Sequence, residues 1–442
     1  MSFEINHTHD AKARSWVEFA NRSGSDFPIQ NLPYAVFRQQ RQSAEAWRGG
    51  IAIGDEVVDL GALSQKGLLE GLAVTASAAC SQSTLNAFFE MGPSAWQALR
   101  HGLFRLLSLD ANAERQRAIA ECLVPQNGVE YAVPVQIGDY SDYYTSIYHA
   151  ENIGKLAGLN TATPNFKWIP LAYHGRASSI GVSGQKFRRP LGQAKAPDAP
   201  APILQPTQKL DYELELAIYV GKSNQMGQPV SVSDAEQHIF GIGLLNDWSA
   251  RDIQFWEMAP LGPFLGKSFA TTISSWIVSL EALAPFRLPF QRPARDPQPL
   301  PYLDDKTNRA AGAIDITLEV WLGSSKQRVQ GDAAKRVSST SFKHQYWTVA
   351  QMLAHHTING CNLKVGDVLG TGTVSGPTVS EAGALIELAL NGAAPVNLAT
   401  GEKRSFLEDG DTVALRGFCE KAGFARIGLG ECLGEVLPAL GV

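Results

Sequence analysis

Hydrophobic and polar positions alternate with a period of two along much of this chain, which is the rhythm of half-buried strands. Near the N-terminus the pattern predicts strands at YAVF (34–37) and across GGIAIGDEVVDL (49–60), where Gly54-Asp55-Glu56 makes a tight hairpin turn. The period then lengthens to three and four: TLNAFF (84–89), PSAWQALRHGLFRLL (93–107) and NAERQRAIAECL (112–123) read as helices, the last capped by Asp110. Val124-Pro125 and the Asn127-Gly128 turn place a domain boundary within 124–136. Beyond it strands return at ELELAIYV (213–220), AIDITLEVWL (313–322), GALIELAL (383–390) and DTVALRGFC (411–419). Pro-rich stretches at 189–206 and 285–301 read as extended surface loops. Residues 1 to 25 are polar and expected to be loosely ordered. The pattern predicts an α+β, β-rich protein with a small domain over 1–130 and a larger one over 131–442.

One segment breaks the rhythm. FGIGLLNDWSARDIQFWEMAPLGPFLGKSFATT (240–272) is largely apolar, yet embeds Asp247, Arg251, Asp252, Gln254, Glu257 and Lys267. Ionised groups taken out of water cost several kcal/mol each unless paired or metal-bound. The segment is either a built site or an amphipathic helix over about 249–258 with its charges outside. Elsewhere, in DYELELAIYV (211–220), the even positions are apolar, so Glu213 and Glu215 share the other face of a strand. They either bite one cation together or face solvent. In SDYYTSIYHAENIG (141–154) a helix capped by Ser141 would put Asp142 and His149 on one face, about 10 Å apart in rise. That separation suits a metal ligand at one end and a proton-transfer group at the other; a packed or surface His is the plainer alternative. LGTGTVSG (369–376) brings backbone close to a partner, and Glu387, read as a strand residue, needs a partner such as His149 or else reaches water.

Composition narrows the chemistry. Of 442 residues 18% are charged and 44% apolar, a globular balance, and the net charge of −5 argues against a nucleic-acid partner. The basic run KFRR (186–189) is too short to alter that. Five scattered cysteines without a C-x-x-C pattern, no apolar leader, and no membrane-spanning run suggest a soluble cytoplasmic protein with reduced thiols. There is no G-x-S-x-G, H-E-x-x-H or Walker A sequence, and neither LGTGTVSG nor GLGECLG (428–434) fits the dinucleotide fingerprint. Chemistry here rests on carboxylates, a His and a hard cation. Four negative charges at Asp142, Glu213, Glu215 and Asp247 would be balanced by one divalent ion with Arg251 and Lys267. An all-carboxylate set favours Ca²⁺, Mg²⁺ or Mn²⁺.

Taken together, GDYSDYY (138–144), YHGRASSI (173–180), LELA (214–217), LNDWSARDIQ (245–254) and PLGPFLGKS (260–268) resemble the fumarylacetoacetate hydrolase family. The likeness runs from DFPIQNLPYAVF (26–37) to ECLGEVLPAL (431–440), and the separate N-terminal part favours its fumarylacetoacetase branch over acylpyruvate hydrolases or hydratases acting on other 2,4-dioxo acids. The resemblance implies a small SH3-like N-terminal barrel and a larger C-terminal mixed β-sandwich roll of the fumarylacetoacetase type, assembled as a homodimer. It also implies hydrolysis of a carbon–carbon bond in a small diketo acid, 4-fumarylacetoacetate, at the end of tyrosine and phenylalanine degradation. Carried over by position, Asp142, Glu213, Glu215 and Asp247 would hold Ca²⁺ (or Mg²⁺ or Mn²⁺). A structural Mg²⁺ would lie near Asp247, Lys267 and Thr271. His149 would be the base, oriented by Glu387, with Arg251, Gln254 and Lys267 at the oxyanion. Tyr144, Tyr173, Gln254, Met258 and Thr373 would contact substrate. Two departures stand out. Met258 occupies the place of a substrate-contacting Tyr of animal members, and KLAGLNTATPNF (155–166) lacks their substrate-binding Arg, leaving Lys155, Lys167 or no residue at all as its replacement.

Overall fold

The computed structural model describes residues 4–40, 45–156, 158 and 162–441. Five antiparallel strands form the N-terminal sheet in the order 123–125, 56–59, 48–53, 34–39, 129–132. The hairpin turns at Gly54, whose φ of 60° lies in the left-handed region. Helix Pro93–Leu107 starts with Pro at its first position and buries Trp96, Leu99 and Leu103. The next helix begins at Ala113, and its cap is Asn112, which accepts from the Arg115 N–H. The expected cap, Asp110, instead takes a hydrogen bond from the Ser108 hydroxyl.

The N-terminal segment is packed rather than loose. Thr8 and His9 are buried. His9 Nε2 bonds the Glu281 carbonyl at 2.8 Å, and Asn6 Nδ2 donates to the Glu281 carboxylate at 2.8 Å. Polar composition misled here because these side chains bond across the domain junction instead of facing water.

Two large sheets, with four two-stranded ones beside them, build the C-terminal part among the described residues. The larger runs 172–174, 140–143, 368–370, 214–220, 239–247, 271–273, 180–182, with 278–279 also on 239–247. The second runs 335–341, 317–323, 412–419, 427–437, 185–188. The apolar even face of Leu214–Val220 packs in one core with Leu318, Val320, Leu415 and Leu429 of the second sheet. Its odd face carries Ala217 and Tyr219 into a different core, with Phe88, Phe89 and Trp96 of the N-terminal domain. Both faces of this strand are therefore covered, so its acidic residues do not face solvent. The region 189–206 is partly regular, Leu191–Ala194 pairing with Ile203–Pro206 as a hairpin. No helix among the described residues is long and apolar enough to cross a membrane.

Candidate active site

The acidic cluster follows from strand register. In the larger sheet Asp142 is level with Gly370, and Gly370 with Ala217, two residues beyond Glu215. Glu215 is level with Leu245, two residues before Asp247. Strand 368–370 lies between the strands of Asp142 and Glu215, and its glycine leaves the space they use. A Cβ at Gly370 would come within 2.7 Å of Asp142 Oδ1 and 3.1 Å of Glu215 Oε2.

One oxygen from each of Asp142, Glu213, Glu215 and Asp247 lies within 4.8 Å of the others, and all four residues are buried. Three oxygens, Asp142 Oδ1, Glu215 Oε1 and Asp247 Oδ1, are enclosed without any hydrogen-bond partner. Buried carboxylate oxygens left this way cost free energy unless something positive meets them. The donor set is all carboxylate, so the residues fit a hard divalent cation such as Ca²⁺, Mg²⁺ or Mn²⁺. Burial first, then the neighbouring negative charges, push Asp142 and Glu215 well above the usual carboxylate range. Glu213 behaves oppositely. Burial would raise it, but Lys267 and Arg251 outweigh that and hold it low. Its Oε1 takes Arg251 Nη1 at 2.8 Å and its Oε2 takes Lys267 Nζ, which also donates to Asp247 Oδ2 at 2.6 Å.

Asp142 and His149 do not share a helix. Asp142 is on strand Tyr140–Tyr143 and His149 in the first turns of helix Ile147–Leu156. The tyrosine-rich run pairs on both sides, with 172–174 and 368–370, and sheet pairing overrides the helical reading. Glu387 is likewise not on a strand: Leu385–Leu388 is one helical turn. Short apolar runs are ambiguous in period, and Asp211, distant in sequence, supplies acceptors to the N–H groups of Leu385 (2.8 Å) and Ile386 (3.2 Å).

Within this arrangement His149 Nδ1 meets Glu387 Oε1 at 2.7 Å. Glu387 also accepts from Asn152 Nδ2 at 2.8 Å and from the Ser375 hydroxyl at 2.9 Å. Burial would raise its carboxyl, but His149 and these donors bring it below the usual range, so it is ionised beside the imidazole. With Nδ1 committed, Nε2 is the atom left to take a proton.

A cavity of about 470 Å³ joins these parts. Asp142, Tyr144, His149, Tyr173, Glu213, Arg251, Gln254, Met258, Lys267 and Thr373 all line it. Tyr173 donates its hydroxyl to Asp247 Oδ2 at 3.0 Å. Gln254 Oε1 accepts from Arg251 Nη1 at 3.2 Å, one turn along helix Arg251–Glu257. Arg251 Nη2 and Thr373 Oγ1 are buried without partners, so both remain as donors for a bound molecule. Thr271 is buried and level with Asp247 on the neighbouring strand. Met258 sits at the rim, 43% exposed. Lys155 is exposed and Lys167 pairs with Asp296 at 2.6 Å; neither lines the cavity.

Sequence reasoning missed Asp211, Asn152 and Ser375. Asn152 lies three residues after His149, a spacing that marks one helix face, and was the most accessible of these signals.

Comparison with known proteins agrees with the geometry. Residues 30–134 match the family model "Fumarylacetoacetase N-terminal", and 140–436 match "Fumarylacetoacetate (FAA) hydrolase C-terminal". The chain belongs to the fumarylacetoacetate hydrolase family. A Caenorhabditis elegans relative named fumarylacetoacetase is 49% identical over 94% of this chain and 97% of its own. The Oryza sativa protein of that name is 46% identical over 97% and 98%, and the human one 44% over 94% and 97%.

Proposed function

We propose that this protein hydrolyses the carbon–carbon bond of 4-fumarylacetoacetate to fumarate and acetoacetate, the closing step of tyrosine and phenylalanine degradation. The observation that carries the reading is that His149, paired with Glu387, opens into a cavity also lined by Asp142 and Glu213 of the four converging carboxylates. No nucleophilic side chain with an activating base lines that cavity among the described residues, so water is the nucleophile.

His149 Nε2 takes a proton from water as its oxygen bonds the ketone carbon beside the fumaryl arm. Glu387 holds the imidazole in one tautomer and stabilises the imidazolium that forms. The alkoxide faces Arg251, Gln254 and Lys267; Arg251 retains an unused Nη2, and Lys267 has a third N–H beyond the two given to Glu213 and Asp247. As the carbon–carbon bond breaks, its electron pair leaves with the acetoacetate enolate, and the proton held on His149 is available to quench it. Asp142, Glu213, Glu215 and Asp247 would hold a divalent cation, which would supply Lewis-acid stabilisation of the negative charge that develops on the diketone. Tyr144, Tyr173, Met258 and Thr373 then shape the substrate pocket. A second, structural Mg²⁺ would lie near Asp247, Lys267 and Thr271 on the family resemblance alone.

The enzyme is further proposed to be a cytoplasmic homodimer. Leu261 at the cavity, with Trp256, Phe264 and Leu265 of the same segment, exposes apolar surface that a second copy would cover, and the five cysteines are unpaired. The test is His149→Ala. Turnover of fumarylacetoacetate, followed by loss of its near-ultraviolet absorbance, falls by about 10²–10⁴ while bound metal and circular dichroism persist. Unchanged kcat refutes His149 as the base.

A further inference from the structure

Asp211 is wholly buried and touches neither the cavity nor the acidic cluster's free oxygens, yet both of its own oxygens are engaged. Oδ2 accepts Arg251 Nε at 2.9 Å and the Ile386 N–H at 3.2 Å; Oδ1 accepts the N–H groups of Leu385 and Tyr212, each at 2.8 Å. The helix Leu385–Leu388 is a single turn whose preceding residue, Ala384, offers no side-chain cap. One turn of helix is unstable alone, and its first N–H groups need acceptors. Asp211 supplies them from another strand and with the same carboxylate grips the guanidinium. Its own place is fixed by strand pairing, Asp211 level with Ser249, two residues before Arg251.

We propose that Asp211 is a positioning residue that sets the His149–Glu387 pair and the Arg251 oxyanion donor at a fixed distance from each other. The inference rests on the hydrolase reading for its rate consequences and on geometry alone for its structural ones. One arm runs through Arg251, which keeps Nη1 on Glu213 and Nη2 free only while Nε is held. The other runs through the helix turn that presents Glu387 to His149 Nδ1. Displacement of a catalytic group by about 1 Å costs on the order of 10² in rate.

The experiment pairs Asp211→Asn with Asp411→Asn. Asp411 is an equally buried carboxylate, bound by Arg404 at 2.8 and 3.0 Å and by the Glu408 N–H at 2.8 Å, but it does not line the cavity or bond Arg251 or the Leu385–Leu388 turn. Both variants should lower Tm. Only Asp211→Asn should lower kcat, about 100-fold with KM within about threefold, because Asn can still accept from the helix but turns an amide N–H₂ toward Arg251. Asp211→Ala in an Arg251→Ala background should lose about tenfold more than Arg251→Ala alone, through the second arm. Amide exchange at Leu385 and Ile386 should quicken in Asp211→Ala and not in Arg251→Ala, whatever the substrate. Unchanged exchange in Asp211→Ala, or an Asp211→Asn kcat within twofold of the parent, overturns the proposal. A parent enzyme inert toward fumarylacetoacetate overturns the hydrolase reading alone, with the exchange result still deciding this one.

Discussion

Replacing Glu387 with Gln removes one negative charge from a fully enclosed site while keeping its shape. The carboxylate accepts from His149 (2.7 Å), Asn152 (2.8 Å) and Ser375 (2.9 and 3.1 Å) and is 3% exposed. A glutamine has one acceptor oxygen for what two oxygens now serve, and its N–H₂ must face either Asn152 Nδ2 or His149 Nδ1. Facing Asn152, it keeps the tautomer but loses the charge that stabilises the imidazolium. Facing His149, it forces the proton onto Nε2 and removes the proposed base. When a buried acid behind a catalytic His is neutralised in this way, kcat falls by about 10⁴. We expect a loss of about 10³–10⁴ in kcat, equivalent to roughly 4–5.5 kcal/mol, with KM within about threefold. Initial rates of diketone absorbance decay at saturating substrate measure it. A Glu387→Gln enzyme within tenfold of the parent kcat, with unaltered metal content, would refute the pairing as what orients the imidazole and stabilises its cation.

Two further predictions concern the scaffold, one beside the acidic cluster and one at the junction with the N-terminal segment. Gly370→Ala should cut divalent-cation affinity by tenfold or more with the fold retained, since the new Cβ would stand 2.7 Å from Asp142 Oδ1; equilibrium dialysis reads it, and unaltered affinity contradicts the register argument. Glu281, bound by His101 (2.7 Å), Asn6 (2.8 Å) and Gln97 (3.2 Å), joins the N-terminal segment and the helix Pro93–Leu107 to the larger domain. Burial would raise its carboxyl, but His101 and Arg100 bring it down to about 2. A lowered carboxyl stabilises the fold above its ordinary pKa of about 4.5 and loses that contribution as pH falls toward 2. Glu281→Gln should therefore cost about 3 kcal/mol at pH 7 in urea unfolding and little near pH 2; an equal cost at both pH values would contradict it.

Much of this molecule was legible in its residues, and the failures share a cause. Period and turn chemistry located the Gly54 hairpin, the helix Pro93–Leu107 and the strand Leu214–Val220, because each obeys a local rule over enough residues. Glu213 and Glu215 were placed on one strand face, but whether that face met water depended on the N-terminal domain covering it. Asp142 and Glu387 were given the wrong elements because strand pairing and a cap from Asp211 act across the chain, where no window of sequence reaches. The charge balance also omitted Asp211, a fifth carboxylate that shares Arg251 with Glu213. Asp211 lies beside apolar Tyr212 and reads as an ordinary strand-end acid. Its role is visible only once residues 251 and 385 are brought to it.

The central claim is that Asp142, Glu213, Glu215 and Asp247 form one cation cage facing the His149 imidazole. Calorimetric titration of chelator-stripped enzyme with Ca²⁺ or Mg²⁺, set beside the same titration of Glu215→Gln, tests it most directly. The account predicts a cation site in the parent that is lost in the variant, together with chelator-sensitive turnover. Equal binding by both proteins, or full activity in the stripped enzyme, would contradict it.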